Sequence, residues 1–440
     1  MTSTPGAQRE LAEAAWRWVL DQVRWDDGPW IPETVTSDRA EEPPELRDGM
    51  HSGIGGLAHV LAEIREARAW TAEEKELAEA IATRLRSRIS TEVECSWFDG
   101  LPSTIGALIA LREPGAEKAV DRLAGLASPD GWPQSFLQPP RHLPDARISD
   151  ATLGTAGVLL EALWARRHGI AGATRVAEHA AQILLAEAEE RSPGLAWLMA
   201  PRRFTTTPPP EMPNWSHGTA GIAAALACAG VELGRPELVD AARAGAEHLI
   251  AIGDAGQEGF VVPIQLPPPP DREPVTYTWC HGPTGTSSLF LALDRAGVDE
   301  VAGASPLAWH RRCLHSVRSS GLPARLRPGF WDNDGRCCGT ASVGEVFLDA
   351  WQRTGEEEHL AFASLLADAL LEGAVHDGGR ACWRFVEHRN AVPLLPPGVG
   401  YMQGAAGIAA FLFRISRVSA QGRGAAAVPR SDNWWALPGQ

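Results

Sequence analysis

The chain has 440 residues and a formal net charge of −15 at pH 7, with 55 acidic against 40 basic side chains. This excess of carboxylates disfavours nucleic-acid binding, which depends on lysine and arginine neutralising phosphates. The sequence contains no run of about 18 apolar residues, so no membrane span is predicted. The N-terminus lacks the basic-then-apolar layout of a secretory signal. Seven cysteines, an odd number, do not suggest a disulfide framework. We therefore expect reduced thiols in a cytoplasmic protein.

The first predicted elements are helices joined by a glycine turn. Residues 7–25 carry apolar side chains along one helical face. After a loop at 41–44, Gly53 opens a second apolar stretch, and Thr71 with Glu74 forms a capping box that starts a charged helix. The unit is thus a small-residue helix that follows a glycine turn, and a more charged helix that returns from it.

This unit recurs along the whole chain. Each copy opens with what we call a glycine phrase: a glycine, a second small residue three positions later, and then an apolar helix. The seven phrases start 47 to 65 residues apart, at Gly53, Gly100, Gly154, Gly218, Gly282, Gly339 and Gly404. In two of them serine replaces the second glycine. Self-similarity at such a period is typical of repeat architectures.

Small-residue helices are predicted after the phrases, with charged helices between them. The small-residue helices after the first one cover 102–112, 154–168, 218–233, 282–296, 339–354 and 404–418, and the charged ones include 173–191, 235–253 and 356–375. A helix that is apolar all round is buried, whereas a charged amphipathic helix covers it. We therefore predict an all-α fold in a single domain, 1–440: a double-layered α/α toroid of seven inner and seven outer helices. An open solenoid of helical hairpins is the alternative, and we favour closure because no polar capping repeat stands at either end.

Long, proline-rich connections precede the fourth to seventh phrases, over 194–216, 256–279, 321–337 and 379–403. Loops of this length are uncommon in compact domains and are usually functional or disordered. All four enter the same end of the inner helices, so we expect them to crowd over one face, with short strand pairing as an option at 259–262. The tail, 419–440, is expected to be irregular, with Trp434 and Trp435 packing back.

Candidate functional residues lie immediately before the glycines. Helix N-termini present free N–H groups and positive dipole ends, and residues before each phrase are expected to face one cavity. His217, His281 and Cys338 directly precede phrase glycines, with Cys280 and Cys337 one residue upstream. Zinc takes thiolate and imidazole ligands at four tetrahedral positions, and catalytic sites keep one open. The three cysteines therefore predict a metal site, against the alternative that they are small buried hydrophobes.

Other cysteines and several tryptophans are interpreted as packing residues. The cysteines interpreted in this way are Cys95, Cys228, Cys313 and Cys382. The tryptophans, which lie beside the phrases and loops, are Trp97, Trp215, Trp279 and Trp331. A disulfide between the adjacent Cys337 and Cys338 is a strained alternative to metal binding.

Two phrases carry a resemblance to a known family. Trp279-Cys280-His281-Gly282 and Cys337-Cys338-Gly339, set among seven Gly-x-x-Gly-type repeats, resemble the lanthionine synthetase C (LanC-like) cyclases. The resemblance runs from His51 to about Arg414. It implies an α/α toroid that binds zinc and adds a peptide thiol to a dehydroamino acid.

By this resemblance Cys280 and Cys337 are zinc ligands, and Cys338 stands where the family usually has histidine. Three thiolates around a divalent cation leave a single formal negative charge, and a bound substrate thiolate adds another. The added charge is expected to make the substrate sulfur easier to release onto an electrophile. The family also tends to carry an arginine four residues before the first cysteine; here that position is Thr276, with Arg272 as the nearest substitute.

The resemblance also matches His217 and Asp150 to the family's catalytic pair. His217 is suited to proton transfer because the unperturbed imidazole pKa lies near neutrality. Asp150 takes the thiol proton, orients a donor, or merely places a charge near a helix N-terminus. His281 is expected to line the site and to donate to the enolate oxygen formed after thiol addition.

The implied function is a zinc-dependent cyclase that forms lanthionine or methyllanthionine rings in a dehydrated precursor peptide, with a separate dehydratase supplying the dehydrated residues. One alternative is a LanC-like enzyme that adds glutathione to dehydroamino acids in proteins. Another is a non-catalytic binding or scaffold protein of the same fold. A toroidal glycosidase is disfavoured because it needs paired carboxylates, and Asp150 has no evident carboxylate partner in the sequence.

Overall fold

The computed structural model describes residues 3–35, 46–270, 273–324, 333–385 and 394–439, and within them the chain forms fourteen α-helices in two layers. The outer helices are α1 (Pro5–Gln22), α3 (Ala72–Arg88), α5 (Ala116–Leu126), α7 (Ala173–Ala186), α9 (Pro236–Ile252), α11 (Pro306–Arg318) and α13 (Glu357–Gly373). The inner helices are α2 (Gly55–Ala67), α4 (Leu101–Leu111), α6 (Thr155–Arg167), α8 (Thr219–Leu233), α10 (Pro283–Arg295), α12 (Thr340–Thr354) and α14 (Ala405–Gln421). None of these described helices is both long enough and apolar enough to cross a membrane.

The inner helices close into a ring. α2 packs against α4 on one side and against α14 on the other, so the first and last inner helices are neighbours. The pairs α4–α6, α6–α8, α8–α10 and α12–α14 pack in the same way, and each outer helix lies on the inner layer, with α1 against α14. The predicted α/α toroid is therefore confirmed, and the open solenoid is wrong.

Burial separates the two layers as the sequence predicts. In α8 every residue from Thr219 to Gly230 is buried, whereas α9 buries one face only. The predicted capping box at the start of α3 is present: Glu74 N–H donates to Thr71 Oγ1 over 3.2 Å, and Thr71 N–H donates to Glu74 Oε2 over 2.7 Å. Small apolar residues thus form the inner wall, and capped charged helices cover it.

Where a phrase carries a second glycine, a close contact with the neighbouring repeat excludes a side chain there, as at Gly221 and Gly56. A Cβ on Gly221 would lie 2.0 Å from the Trp215 carbonyl oxygen and 2.9 Å from the Cβ of Ala151, three residues before the preceding phrase. A Cβ on Gly56, in the first phrase, would lie 2.6 Å from the Cβ of Tyr401, three residues before the seventh phrase. Only glycine permits such close approach, and the contact from the seventh phrase to the first repeats the closure of the ring.

In the described ranges, four short strands form two antiparallel hairpins: β1 (Glu189–Glu190) with β2 (Leu195–Ala196), and β3 (Val375–Asp377) with β4 (Arg380–Cys382). A 3-10 helix covers Arg202–Phe204. The predicted helix over 173–191 is too long, because α7 ends at Ala186 and a turn, closed by Arg191 N–H to Gly194 O over 2.8 Å, folds the chain back. At 259–262 the chain forms a single bridge from Val261 to Asp254 and no strand.

The C-terminal segment, residues 422–439, is irregular and returns to the protein interior. α14 continues to Gln421, slightly beyond its predicted end at 418. Residues 430–437 are all buried, and Trp434 and Trp435 are among the most completely buried side chains. The expected packing of these two tryptophans is confirmed.

Candidate metal centre and reaction site

Residues two positions before the phrase glycines form a ring of hydrogen bonds at one end of the toroid. The backbone N–H of one such residue donates to the carbonyl of the next, over 2.7–3.2 Å, from His51 to Phe98, Phe98 to Thr152, Ser216 to Cys280, Cys337 to Met402 and Met402 to His51. The Thr152 hydroxyl donates to the Ser216 carbonyl over 3.2 Å. In the described part of the chain no such bond joins Cys280 to Cys337, where the cysteine side chains meet. We call this interval the seam.

Three sulfur atoms lie at the seam. Cys280 Sγ is 3.0 Å from Cys338 Sγ, which is 3.5 Å from Cys337 Sγ, and all three sulfurs lie within 4.8 Å of one another. Cys280 and Cys337 are buried and Cys338 is partly exposed, and all three are free thiols, so the vicinal disulfide is not formed. Thiolates bound to tetrahedral zinc lie about 3.8 Å apart. The donor set therefore fits a zinc ion once the Cys280 and Cys338 sulfurs, now 3.0 Å apart, separate by about 0.8 Å.

The thiols share their protons unequally. Hydrogen bonding with Cys280 and Cys337 holds the pKa of Cys338 well below its usual range, despite burial. Burial raises the pKa of Cys280, and the hydrogen bond with Cys280 raises that of Cys337. The cluster thus stabilises one thiolate hydrogen-bonded to two thiols, and a bound cation would replace the two protons.

Two polar side chains that the sequence reasoning missed contact these sulfurs. Thr278 Oγ1 lies 3.3 Å from Cys280 Sγ and 3.2 Å from the hydroxyl of Thr276, which occupies the family's arginine position. Gln403 hydrogen-bonds Cys338 through its side chain, and its Oε1 accepts from Asn333 Nδ2 over 3.2 Å. Gln403 directly precedes a phrase glycine, as His217, His281 and Cys338 do, and this shared position was the signal available in the sequence.

The predicted catalytic pair is in direct contact. His217 Nδ1 lies 2.7 Å from Asp150 Oδ2, and the Asp150 carboxylate is completely buried. Asp150 Oδ1 accepts from the backbone N–H groups of Thr152 and Leu153 over 3.1 and 2.6 Å. A carboxylate facing Nδ1 favours the tautomer with its proton there, which leaves Nε2 as the basic atom. The backbone of Thr152 and Leu153 thus holds the Asp150 carboxylate against the His217 ring.

His281 lies beside this pair. Its ring centroid is 5.3 Å from that of His217, and its chain neighbour Cys280 carries one of the seam sulfurs. The structure thus brings all six predicted site residues to one end of the toroid.

The residues interpreted as packing groups are buried wherever the structure describes them. The Trp279 ring centroid is 6.1 Å from those of both Trp97 and Trp215, and all three side chains are buried. The four cysteines outside the seam are buried free thiols. Arg272 and Trp331 lie outside the described residues.

Comparison with known proteins identifies the family. Residues 44–420 match the family described as lanthionine synthetase C-like protein. The chain belongs to this family. A search among curated proteins finds no match.

Solved structures of similar fold accompany this family match. Nisin cyclase aligns with a TM-score of 0.58 at 14% identity, over 91% of this chain and 93% of its own. A GH76 alpha-mannanase of Bacteroides thetaiotaomicron aligns at 0.51 and 12% identity over 94% and 98%, and a D-mannose isomerase at 0.50 and 13% over 92% and 97%. At these identities the likeness shows the toroidal fold alone. In this LanC-like chain, Asp150 pairs with an imidazole, which differs from the two-carboxylate arrangement of a glycosidase.

Proposed function

We propose that this LanC-like protein is a zinc-dependent peptide cyclase. It would form lanthionine or methyllanthionine by adding cysteine thiols to dehydroalanine or dehydrobutyrine in a dehydrated precursor peptide. The observation that carries the proposal is the cluster of three thiols within 4.8 Å, at the same end of the toroid as a hydrogen-bonded His217–Asp150 pair. Family membership supports it.

The cellular setting follows from this chemistry. A separate dehydratase would supply the dehydrated residues, and the chain, 1–440, would act as one unit. Free thiols at the seam suit the reducing cytoplasm.

Cys280, Cys337 and Cys338 would hold the zinc ion. Bound there, zinc would leave a fourth position at which a substrate thiol is held as thiolate at neutral pH. The free thiol, with a pKa of about 8.5, is mostly protonated and a poor nucleophile.

His217 is the proton-transfer residue in this proposal. Thiol addition forms a bond from sulfur to the β-carbon and leaves an enolate that must gain a proton at its α-carbon. With Nδ1 directed to Asp150, His217 Nε2 accepts the proton that the thiol releases and returns it to the α-carbon, so the protons balance. His281, whose ring centroid lies 5.3 Å from that of His217, would donate to the enolate oxygen.

Metal analysis and a ring-closure assay test the proposal together. The purified protein should contain about one zinc ion per chain, as expected for a single catalytic site. The Cys280→Ala variant should lose it, whereas Cys382→Ala, which removes a cysteine outside the seam, should keep it. Incubation with dehydrated peptides, followed by alkylation and mass measurement, should show loss of free peptide thiols. A metal-free protein would contradict the proposal, and glutathione adducts as the sole product would favour the glutathione-adding alternative.

A further inference from the structure

Arg336 directly precedes Cys337 and contacts the phrases on both sides of its own. Its guanidinium carbon lies 4.9 Å from the ring centroid of Tyr401 and 6.0 Å from that of Trp279. Its Nη1 donates to Met402 Sδ over 3.4 Å. Trp279 directly precedes Cys280 in the chain. The Arg336 side chain therefore connects the two sides of the seam without contacting the cysteine sulfurs.

The C-terminal segment holds this guanidinium in place. Arg336 Nη2 donates to Asp432 Oδ2 over 2.9 Å, and Arg336 Nε donates to Glu345 Oε2, on α12, over 3.1 Å. Arg430 in turn donates to Asp432 Oδ1 and to Glu345 Oε2, each over 3.0 Å. All four side chains are at most 6% exposed. In such a low-dielectric setting, paired and hydrogen-bonded charges adopt well-defined geometry, since an unpaired charge would be costly.

The same segment contacts the two inner helices on either side of the seam. Trp435 Nε1 donates to the Ser288 carbonyl of α10 over 3.1 Å, while Arg430 is bound to Glu345 on α12. α10 and α12 are the helices that follow the two cysteine-bearing phrases. The C-terminal segment therefore bridges these two inner helices.

We propose that Arg336 is a positioning residue for the metal centre and that Asp432, delivered by the C-terminal segment, fixes it. The ring of backbone hydrogen bonds does not set the separation of Cys280 from Cys337 and Cys338, because it is interrupted at the seam. Arg336, held by the buried carboxylates of Asp432 and Glu345, sets that separation instead. The inference rests on the proposed metal centre and adds that the chain's own C-terminus determines its geometry.

The Asp432→Asn variant of the full chain tests this role, with Asp349→Asn as its matched control. Asp349 is also a buried acid, but it accepts a hydrogen bond from Arg414 and not from Arg336. The zinc dissociation constant is measured by competition with a chelator, and the absorption bands of the cobalt-substituted protein report thiolate coordination. Asp432→Asn should weaken zinc binding roughly tenfold to 100-fold, as other residues that orient ligands do, and should shift the cobalt bands. Asp349→Asn should lower stability while leaving both readouts unchanged.

A second variant guards against misfolding. Arg336→Lys keeps the buried charge but loses the planar fork that binds two carboxylates at once, and it should change metal affinity and cobalt bands in the same direction. A folded Asp432→Asn or Arg336→Lys protein with wild-type affinity and spectrum overturns the positioning role. A wild-type protein that binds no zinc refutes the metal centre itself, so the two failures are distinguishable.

Discussion

The Asp150→Asn variant tests whether the buried carboxylate fixes the tautomer of His217. Asp150 Oδ1 already accepts from two backbone N–H groups, and Oδ2 faces His217 Nδ1 at 2.7 Å. An asparagine will keep its oxygen toward the two backbone donors, because turning its NH₂ group to them would leave donors facing donors in a buried site. Its NH₂ group then faces Nδ1 and donates to it.

This reversal moves the His217 proton to Nε2, the atom that accepts the substrate's proton in the proposed mechanism. Loss of general acid–base catalysis costs about 10²- to 10⁴-fold in rate, which corresponds to about 3–5 kcal/mol of activation free energy. Zinc content should not change, because Asp150 contacts His217 and the backbone N–H groups of Thr152 and Leu153.

The assay follows loss of free thiols in a dehydrated peptide by alkylation and mass measurement over time. His217→Ala should slow ring closure to a similar extent while zinc content stays intact. The double variant should be no slower than His217→Ala, because residues that act as a unit are not additive. An Asp150→Asn enzyme with the wild-type rate would refute the tautomer argument, and loss of zinc in either single variant would show that the ligand set is misassigned.

Three further predictions concern the ligand set, the ring and the interior. Cys338→His should retain zinc with a changed rate because imidazole is also a ligand, whereas Cys338→Ala should bind zinc more weakly; unchanged affinity in the alanine variant would rule out a three-thiolate site. Gly221→Ala should destabilise the fold by about 1–3 kcal/mol or more, because its Cβ would meet the Trp215 carbonyl at 2.0 Å. In urea denaturation, Gly125→Ala, whose Cβ meets nothing within 4 Å, should instead stabilise by about 0.5–1 kcal/mol. Burial raises the pKa of Glu161 from 4.5 to about 8, so the unfolded state loses this proton first and the residue's contribution to stability declines as pH rises through that window. Glu161→Gln should remove this decline from the unfolding free energy, and an unchanged pH profile would contradict it.

The toroid could be predicted from the sequence because one local feature repeats in every unit. Each phrase needs a small residue where its helix meets the preceding phrase, as at Gly56 against Tyr401, so the spacing of glycines records the inner ring directly. His217 and the cysteines could be found for the same reason, since a fixed offset from the glycine places each at one end of the helices.

The contact of Arg336 with the C-terminal segment could not be predicted from the repeat. Arg336 and Asp432 are far apart in sequence, and the C-terminal segment has no periodicity to reveal which charges it buries. β1 and β2 were missed because Glu189 and Glu190 continue the charged pattern of α7, and only the turn closed between Arg191 and Gly194 ends it. Pairings between distant segments depend on the assembled ring and leave no local pattern.

The seam explains why the sulfur cluster occurs at one interval of a sevenfold repeat. Elsewhere the residues two positions before the phrase glycines are joined by hydrogen bonds from one to the next. At the seam Cys280 and the Cys337–Cys338 pair meet through sulfur, and a bound metal would join two phrases that the ring leaves apart. In the proposed cyclase, the free energy of metal binding at such a site would add to the stability of the fold, while the fourth position would stay open to substrate.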